Sequence, residues 1–212
     1  MLRFGNNAPP VLSHGRLGGS MKKPGTRRQK AAVVRAHCLG HFRVEVDSRE
    51  LDGAQQAQRK PPALLKTLIA LGGRDVPEDQ ITESLCPDAD GDAANRAFRT
   101  ILYRLRQALG ADALRQRRLS LGPGLSCDAL DLVPLSAQAE SAIDSGNSGE
   151  FRHSIDKALV LYRAPFLEGE FDPPEILVAR DRLHGRFLRV VREGAGLLER
   201  QGDRQGAIRL NL

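Results

Sequence analysis

Four arginines within one short segment are the side chains of this sequence best suited to binding an anion. Residues 93–109 contain Arg96, Arg99, Arg104 and Arg106, and no acidic residue. A guanidinium group is always charged, and its planar fork of N–H donors matches a phosphate or the O6/N7 edge of guanine. The amide of Gln107 can pair with adenine in a similar way. The segment therefore has the chemistry of polyanion recognition rather than of bond making.

A helical wheel separates these polar side chains from an apolar stripe. The stripe covers one arc of roughly 100° and consists of Phe98, Ile101, Leu102, Leu105 and Leu109. The opposite pole carries Arg96, Thr100, Tyr103 and Gln107, with Arg99 and Arg106 on one shoulder and Arg104 on the other. A helix that only faces solvent usually has pairs of opposite charge four residues apart, and this one has none. We therefore expect this face to contact DNA; a solvated helix exterior is the alternative.

Positive charge is concentrated in two places along the 212-residue chain. The net charge is +6, and residues 1–36 hold eight Lys or Arg and no acid. The other residues carry 24 bases and 26 acids, but residues 92–118 hold seven arginines against two aspartates. Localised positive charge of this kind indicates a polyanionic partner.

The order of the elements before residue 132 is that of a winged helix. Residues 37–51 alternate apolar and polar side chains and predict short strands. Prolines and a cluster of acids then open three helices, and the third runs from Ala93 to Leu109. The stretch 114–128 predicts a hairpin that turns at Gly122-Pro123-Gly124, with Arg115, Arg117 and Arg118 on it. Three helices followed by a hairpin form a winged helix-turn-helix.

The rest of the chain has only helical periodicity. Apolar residues three and four apart recur through residues 132–212, which predicts tetratricopeptide-like helical hairpins. The last helix starts near the end of the sequence, so we expect a shortened module. The predicted domains are a disordered basic tail or linker (1–36), a winged-helix domain (37–131) and a helical domain (132–212).

Several motifs together resemble one family. The runs "PDADGDAANRAF…RLRQALG" and "RLSLGPGLSCDALDL" are similar to the OmpR-like winged helix of SARP-type (antibiotic-regulatory-protein) activators, including those at the C-terminal end of large bacterial signal-transduction ATPases. The run "ALVLYRAPFLEGEFDPPEILVARDRLHGRFLRVV" resembles the bacterial transcriptional activator domain that follows it. The resemblance covers roughly residues 38–210. Two departures are Cys86, where the family commonly has tryptophan, and Ala164, where it has glycine.

The resemblance implies an α+β winged helix-turn-helix followed by an all-α, tetratricopeptide-like domain. It also implies that residues 93–109 are the recognition helix, that Arg106 contacts the DNA backbone and that the wing touches the adjacent groove. The DNA-binding residues that we predict are Asn95, Arg96, Arg99, Thr100, Tyr103, Arg104, Arg106, Gln107, Arg117 and Arg118. The expected function is transcriptional regulation, with activation favoured over repression. Double-stranded DNA is the expected partner, with RNA polymerase or a regulatory protein on the helical domain and a possible homodimer.

Other classes of function find less support in the sequence. No nucleophile–base pair or phosphate loop has a credible spacing, so we expect neither an enzyme nor a cofactor. His37, Cys38 and His41 are too far apart along a strand to bind a metal together. Three scattered cysteines and no long apolar run predict a cytoplasmic protein without a membrane span. The alternative that remains is a helical protein-interaction scaffold, or a non-functional copy of a regulator, without DNA binding.

Overall fold

Short strands open the part of the chain that the computed structural model describes, which comprises residues 32–51, 60–115, 118–169 and 173–210. Strands β1 (Val34–His37), β2 (Arg43–Val46) and β3 (Arg49–Glu50) follow one another in an antiparallel meander. The turn between β2 and β3 holds Asp47 and Ser48 at φ angles of 50° and 65°. Two successive residues with positive φ match the right-handed twist of a tight hairpin.

Strand β1 begins at Val34, inside the segment 1–36 that the sequence analysis predicts to be a tail or linker. Val34 and Ala36 are buried while Arg35 between them is exposed, which is the alternation of a half-buried strand. β1 pairs with β2 on one side and with β6 (Leu125–Cys127) on the other, so it is a central strand of the sheet. The sheet of the predicted winged-helix domain therefore starts before residue 37, the predicted boundary. Residues 1–31 lie outside the described part.

Three helices follow, as the sequence predicts: α1 (Lys60–Ala70), α2 (Glu78–Leu85) and α3 (Gly91–Leu109). Gly72 and Gly73 end α1 with φ angles of 96° and 71°, where a side chain would be strained. Asp90 caps α3, since its carboxylate accepts a hydrogen bond of 2.8 Å from the backbone N–H of Ala93. The predicted start of α3 is two residues late.

The hairpin after α3 differs from the predicted one. Strand β4 (Leu114–Arg115) pairs with β5 (Ser120–Leu121), so the hairpin reverses between Arg115 and Ser120. The chain does turn at the predicted Gly122-Pro123-Gly124, where the backbone N–H of Leu125 donates to the carbonyl of Gly122 at 3.1 Å, but the strands on either side of this turn pair with β4 and β1 and not with each other. β6 leaves the hairpin and runs parallel to β1. A Cβ atom on Gly122 would lie 1.8 Å from the carbonyl oxygen of Asp112. Gly122 therefore begins a turn and also permits a close approach of two backbones, and only the turn can be predicted from the sequence pattern.

The second half is helical, with α4 (Asp128–Asp144), α5 (Ser148–Leu161), α6 (Pro174–Arg200) and α7 (Arg204–Leu210). α4 and α5 form an antiparallel pair, and α6 packs against both. α4 starts directly after β6, so the predicted boundary between residues 131 and 132 falls inside this helix. α7 packs on α6 and buries Ala207, so this last helix does have a partner for part of its apolar side.

The helical half is joined to the winged helix by specific bonds. The backbone N–H groups of Gly40 and Leu167 donate to the carbonyls of Pro165 (3.1 Å) and Cys38 (2.8 Å). Ser84 on α2 donates to Glu175 on α6 at 3.2 Å. Because these contacts span both halves, residues 31–212 form one compact unit. None of the helices in the described ranges is both long and apolar enough to cross a bilayer.

Candidate nucleic-acid interface

Helix α3 is held by its apolar stripe against α1 and α2. All five residues of the predicted stripe are buried, and Ala94 is buried with them. The rest of the helix consequently faces outward. The sequence was sufficient for this result because the stripe and the polar face follow directly from the period of the helix.

The outward face carries most of the predicted DNA-binding residues. Those that the structure leaves exposed are Asn95, Arg96, Arg99, Thr100, Tyr103, Arg104 and Gln107. Arg106 is half-buried. The side chain of Tyr103 is 64% exposed, which is unusual for an aromatic residue and gives the face a flat stacking surface.

Thr100 differs from its neighbours in what it can offer to a ligand. Its hydroxyl donates a hydrogen bond of 3.0 Å to the carbonyl oxygen of Arg96 within the same helix. While that bond is kept, the hydroxyl can only accept from a partner. Thr100 therefore suits a base amino group better than a phosphate oxygen, which has no proton to give.

The arginines of α3 are not neutralised by the protein. Among the described residues, no carboxylate lies within ion-pair distance of Arg96, Arg99 or Arg104, and the salt bridges occur elsewhere. On α6, by contrast, Arg186 and Arg189 both bind Glu140. α3 thus presents unpaired, forked donors on one face, which is the arrangement that bidentate binding to phosphate or guanine requires.

The β4–β5 hairpin is anchored beside the turn that follows α1. Val76 and Leu119 exchange two backbone hydrogen bonds of 3.1 and 2.9 Å, and Leu121 donates to the carbonyl of Gly73 at 2.9 Å. Arg115 and Arg118 are exposed on this hairpin, whereas the predicted Arg117 lies outside the described residues. The hairpin is therefore a fixed, basic projection of the domain.

One basic residue near the hairpin was missed by the sequence analysis. Arg74 lines the same open cleft as Arg115 and Arg118, with a volume of about 1240 Å³. The sequence around Arg74 does not predict this position. The bridge between Val76 and Leu119 brings the segment after α1 to the hairpin across more than forty residues.

One cluster within the described ranges has side chains that could hold a metal ion. The ligand atoms of Cys38, Cys127 and Asp128 lie within 4.8 Å of one another. Both carboxylate oxygens of Asp128 already accept backbone N–H groups, from Cys38, Leu39 and Ala129. The hydrogen bond between the Cys38 and Cys127 thiols, together with burial, raises the pKa of Cys38 well above its ordinary value. A protonated thiol and an occupied carboxylate fit a structural junction better than a metal site.

Comparison with known proteins locates the fold but not a close relative. No family model and no curated protein matches the sequence. Among solved structures, Mycobacterium tuberculosis EmbR, determined in complex with a low-affinity phosphopeptide, superposes with a TM-score of 0.67 and is 18% identical. The match covers 84% of this chain and 48% of the EmbR chain, so the protein spans about half the length of that structure. The two chains share a fold in which a small sheet is followed by a mostly helical region.

Proposed function

We propose that the protein is a DNA-binding transcriptional regulator without catalytic activity, and that α3 is its recognition helix. The observation that carries the proposal is the exposed face of α3, on which Arg96, Arg99 and Arg104 have no acidic partner among the described residues. The fold shared with EmbR and the resemblance of the sequence to SARP-type activators support this class of function.

Binding would combine two kinds of contact on this one face. Arginines bind backbone phosphates and set the position of the helix in the major groove, without reading sequence. Gln107 and Asn95 are side chains that can pair with adenine, and an arginine can pair with guanine. Tyr103 adds a flat apolar contact. The α3 face thus has both the donors that give affinity and the groups that give specificity.

The β4–β5 hairpin would supply a second anchor. Arg115 and Arg118 are exposed there, and the hydrogen bonds to Gly73 and Val76 fix the hairpin relative to the helices. In a winged helix this hairpin contacts the DNA backbone next to the groove that the recognition helix occupies. We propose that Arg118 and the predicted Arg117 act in this way. Removing one such contact weakens binding to all sequences about equally.

The helical half offers a surface for a protein partner. Val160 and Val178 are exposed by 72% and 65%, and Leu188 by 50%. We propose that this half contacts RNA polymerase, a regulatory protein or a second copy of the chain, and such side chains are available for the contact. The same observation supports the second candidate function, a protein-interaction scaffold that does not bind DNA.

Binding of α3 variants to duplex DNA separates the two candidates. The full chain, and a variant in which Arg96, Arg99 and Arg104 are replaced by Ala, would be measured by fluorescence anisotropy against a mixed pool of duplexes. A control variant loses Arg192, Arg200 and Arg209, which are exposed on α6 and α7 and give the same change in net charge. We expect the α3 variant to lose at least about 100-fold in affinity and the control to lose much less. A folded wild-type chain that does not bind DNA would favour the scaffold, and equal losses in two variants that circular dichroism shows to be folded would mean that α3 is not the binding face.

A further inference from the structure

The N-terminal end of helix α1 and one flank of α3 enclose an open cavity of about 400 Å³. Its rim carries the side chains of Lys60, Arg96 and Arg104, and its floor is formed by Pro61, Ala97 and Ile101. Arg96 and Arg104 lie eight residues apart and so on the same flank of α3, with Thr100 between them. Lys60 comes from a different helix and faces them across the cavity.

The described lining of the cavity carries positive charge only. Among the described residues no acidic side chain lines it, and the first turn of α1 contains none. Within the described ranges, none of the three cations forms a salt bridge. Three positive charges around one space repel each other, and an anion bound between them would offset this repulsion. The cavity is therefore complementary to an anion of small size.

The donors for such an anion would be side chains rather than the backbone of α1. Helix N-termini often bind anions through their free N–H groups. Here the second and third residues of the helix are Pro61 and Pro62, and proline has no N–H. The binding capacity at this end of α1 consequently depends on the ammonium group of Lys60.

We propose that this cavity is a phosphate site, in which Lys60 from α1 and Arg96 and Arg104 from α3 bind one phosphodiester group of a DNA strand. The inference rests on the function proposed above and adds a residue that lies outside the recognition helix. A phosphate held between two helices would fix the depth and angle of α3 in the groove. Lys60 is then a positioning contact that is indifferent to base sequence.

The test compares Lys60→Gln with the wild-type full chain in binding to a mixed pool of duplex DNA across a salt series. We expect Lys60→Gln to weaken binding about 5- to 10-fold at low salt, and to lower the slope of log K against log salt by about 1. Lys60→Arg should retain most of the affinity. Lys157→Gln, a change of an exposed lysine on α5, should leave both quantities unchanged. A Lys60→Gln variant with wild-type affinity and slope would overturn the proposal while leaving the function of α3 intact; a wild-type chain that does not bind would overturn both.

A second measurement identifies the ligand as one phosphate. Once a binding sequence has been selected, duplexes in which a single phosphate is replaced by a neutral methylphosphonate would be scanned with the wild type and Lys60→Gln. We expect one position at which the difference between the two proteins disappears. If the difference persists at every position, Lys60 acts through its general charge and the proposed site is wrong.

Discussion

The carboxylate of Asp128 accepts a hydrogen bond of 2.7 Å from the backbone N–H of Cys38, across 90 residues of sequence. The same carboxylate also accepts bonds from Leu39 at 3.2 Å and Ala129 at 2.7 Å. Asp128 is the first residue of α4, whereas Cys38 follows β1 in the sheet. One side chain thus joins the start of the helical half to the sheet of the winged helix.

Replacement of Asp128 by Asn should destabilise the junction. Asn is neutral and retains one acceptor oxygen, so all three backbone N–H groups lose a charged partner and at least one of them loses its acceptor. We expect the free energy of unfolding to fall by about 1–3 kcal/mol. Urea denaturation followed by circular dichroism measures this change. Asp144→Asn, at the exposed end of α4, is the control; a similar loss in both variants would contradict the role of Asp128.

Two glycines of α6 should respond to alanine in opposite directions. A Cβ atom on Gly194 would lie 1.9 Å from Cζ of the fully buried Phe151, whereas one on Gly185 meets nothing within 4 Å. We expect Gly194→Ala to destabilise the protein by about 1–3 kcal/mol through overpacking. Gly185→Ala should stabilise it by up to about 1 kcal/mol, because alanine is the better helix former. Thermal unfolding of both variants decides the point, and equal shifts in Tm would refute the packing of α5 on α6.

Glu140 should make stability depend on acid pH. The hydrogen bonds from Arg186, at 3.0 and 2.5 Å, and from Arg189, at 2.8 Å, lower the pKa of Glu140 to about 2. Because the pKa is lower in the folded state than its ordinary value of 4.5, the contribution is fully present above pH 4.5 and is lost as the pH falls toward 2. Its size is about 1 kcal/mol or less, since the pair is partly exposed.

The variant that isolates this contribution is Glu140→Gln. Its free energy of unfolding should be lower than that of the wild type at pH 7, and the difference should shrink as the pH falls below 4.5 and vanish as the pH approaches 2. Urea titrations at several pH values would show this convergence. A difference that is independent of pH would mean that the ion pair is not the cause.

The three cysteines should differ in reactivity. Cys38 and Cys127 are buried with their sulfur atoms 3.8 Å apart, while Cys86 is half-buried at the end of α2. Their hydrogen bond and burial raise the pKa of the Cys38 thiol, which leaves little reactive thiolate at neutral pH. With a thiol-specific chromogenic reagent we expect fast labelling of one thiol in the native protein and of three after denaturation. Fast native labelling of a Cys86→Ser variant would contradict this assignment.

Local sequence signals were sufficient for the helices of the winged helix and for the face of α3. Proline, glycine and a capping aspartate mark the ends of α1, α2 and α3. The helical period of 3.6 residues places Phe98 on the apolar face of α3 and Arg96 on the opposite face, whatever the rest of the fold. These signals act within a few residues, so they do not depend on what the helix packs against.

Features that depend on distant pairing could not be predicted in the same way. The start of β1 was assigned to a tail because Val34 and Ala36 are ordered by pairing with β2 and with β6, and β6 is distant in sequence. The sequence predicts the turn that begins at Gly122, but not the tertiary contact of this residue with the backbone of Asp112. For the same reason the sequence analysis did not include Lys60 and Arg74 among the DNA-binding residues. Lys60 comes close to α3, and Arg74 to the β4–β5 hairpin, only in the folded chain.

The salt dependence of DNA binding by the full chain tests the central claim most directly. The account predicts that wild-type affinity falls steeply with salt, and that replacing Arg96, Arg99 and Arg104 by Ala lowers the slope of log K against log salt by about 3, or about 1 for each lost phosphate contact. The control change of Arg192, Arg200 and Arg209 should leave the slope close to that of the wild type. A wild-type chain that is folded but does not bind DNA, or an α3 variant with an unchanged slope, would show that the exposed face of α3 is not a DNA-binding surface.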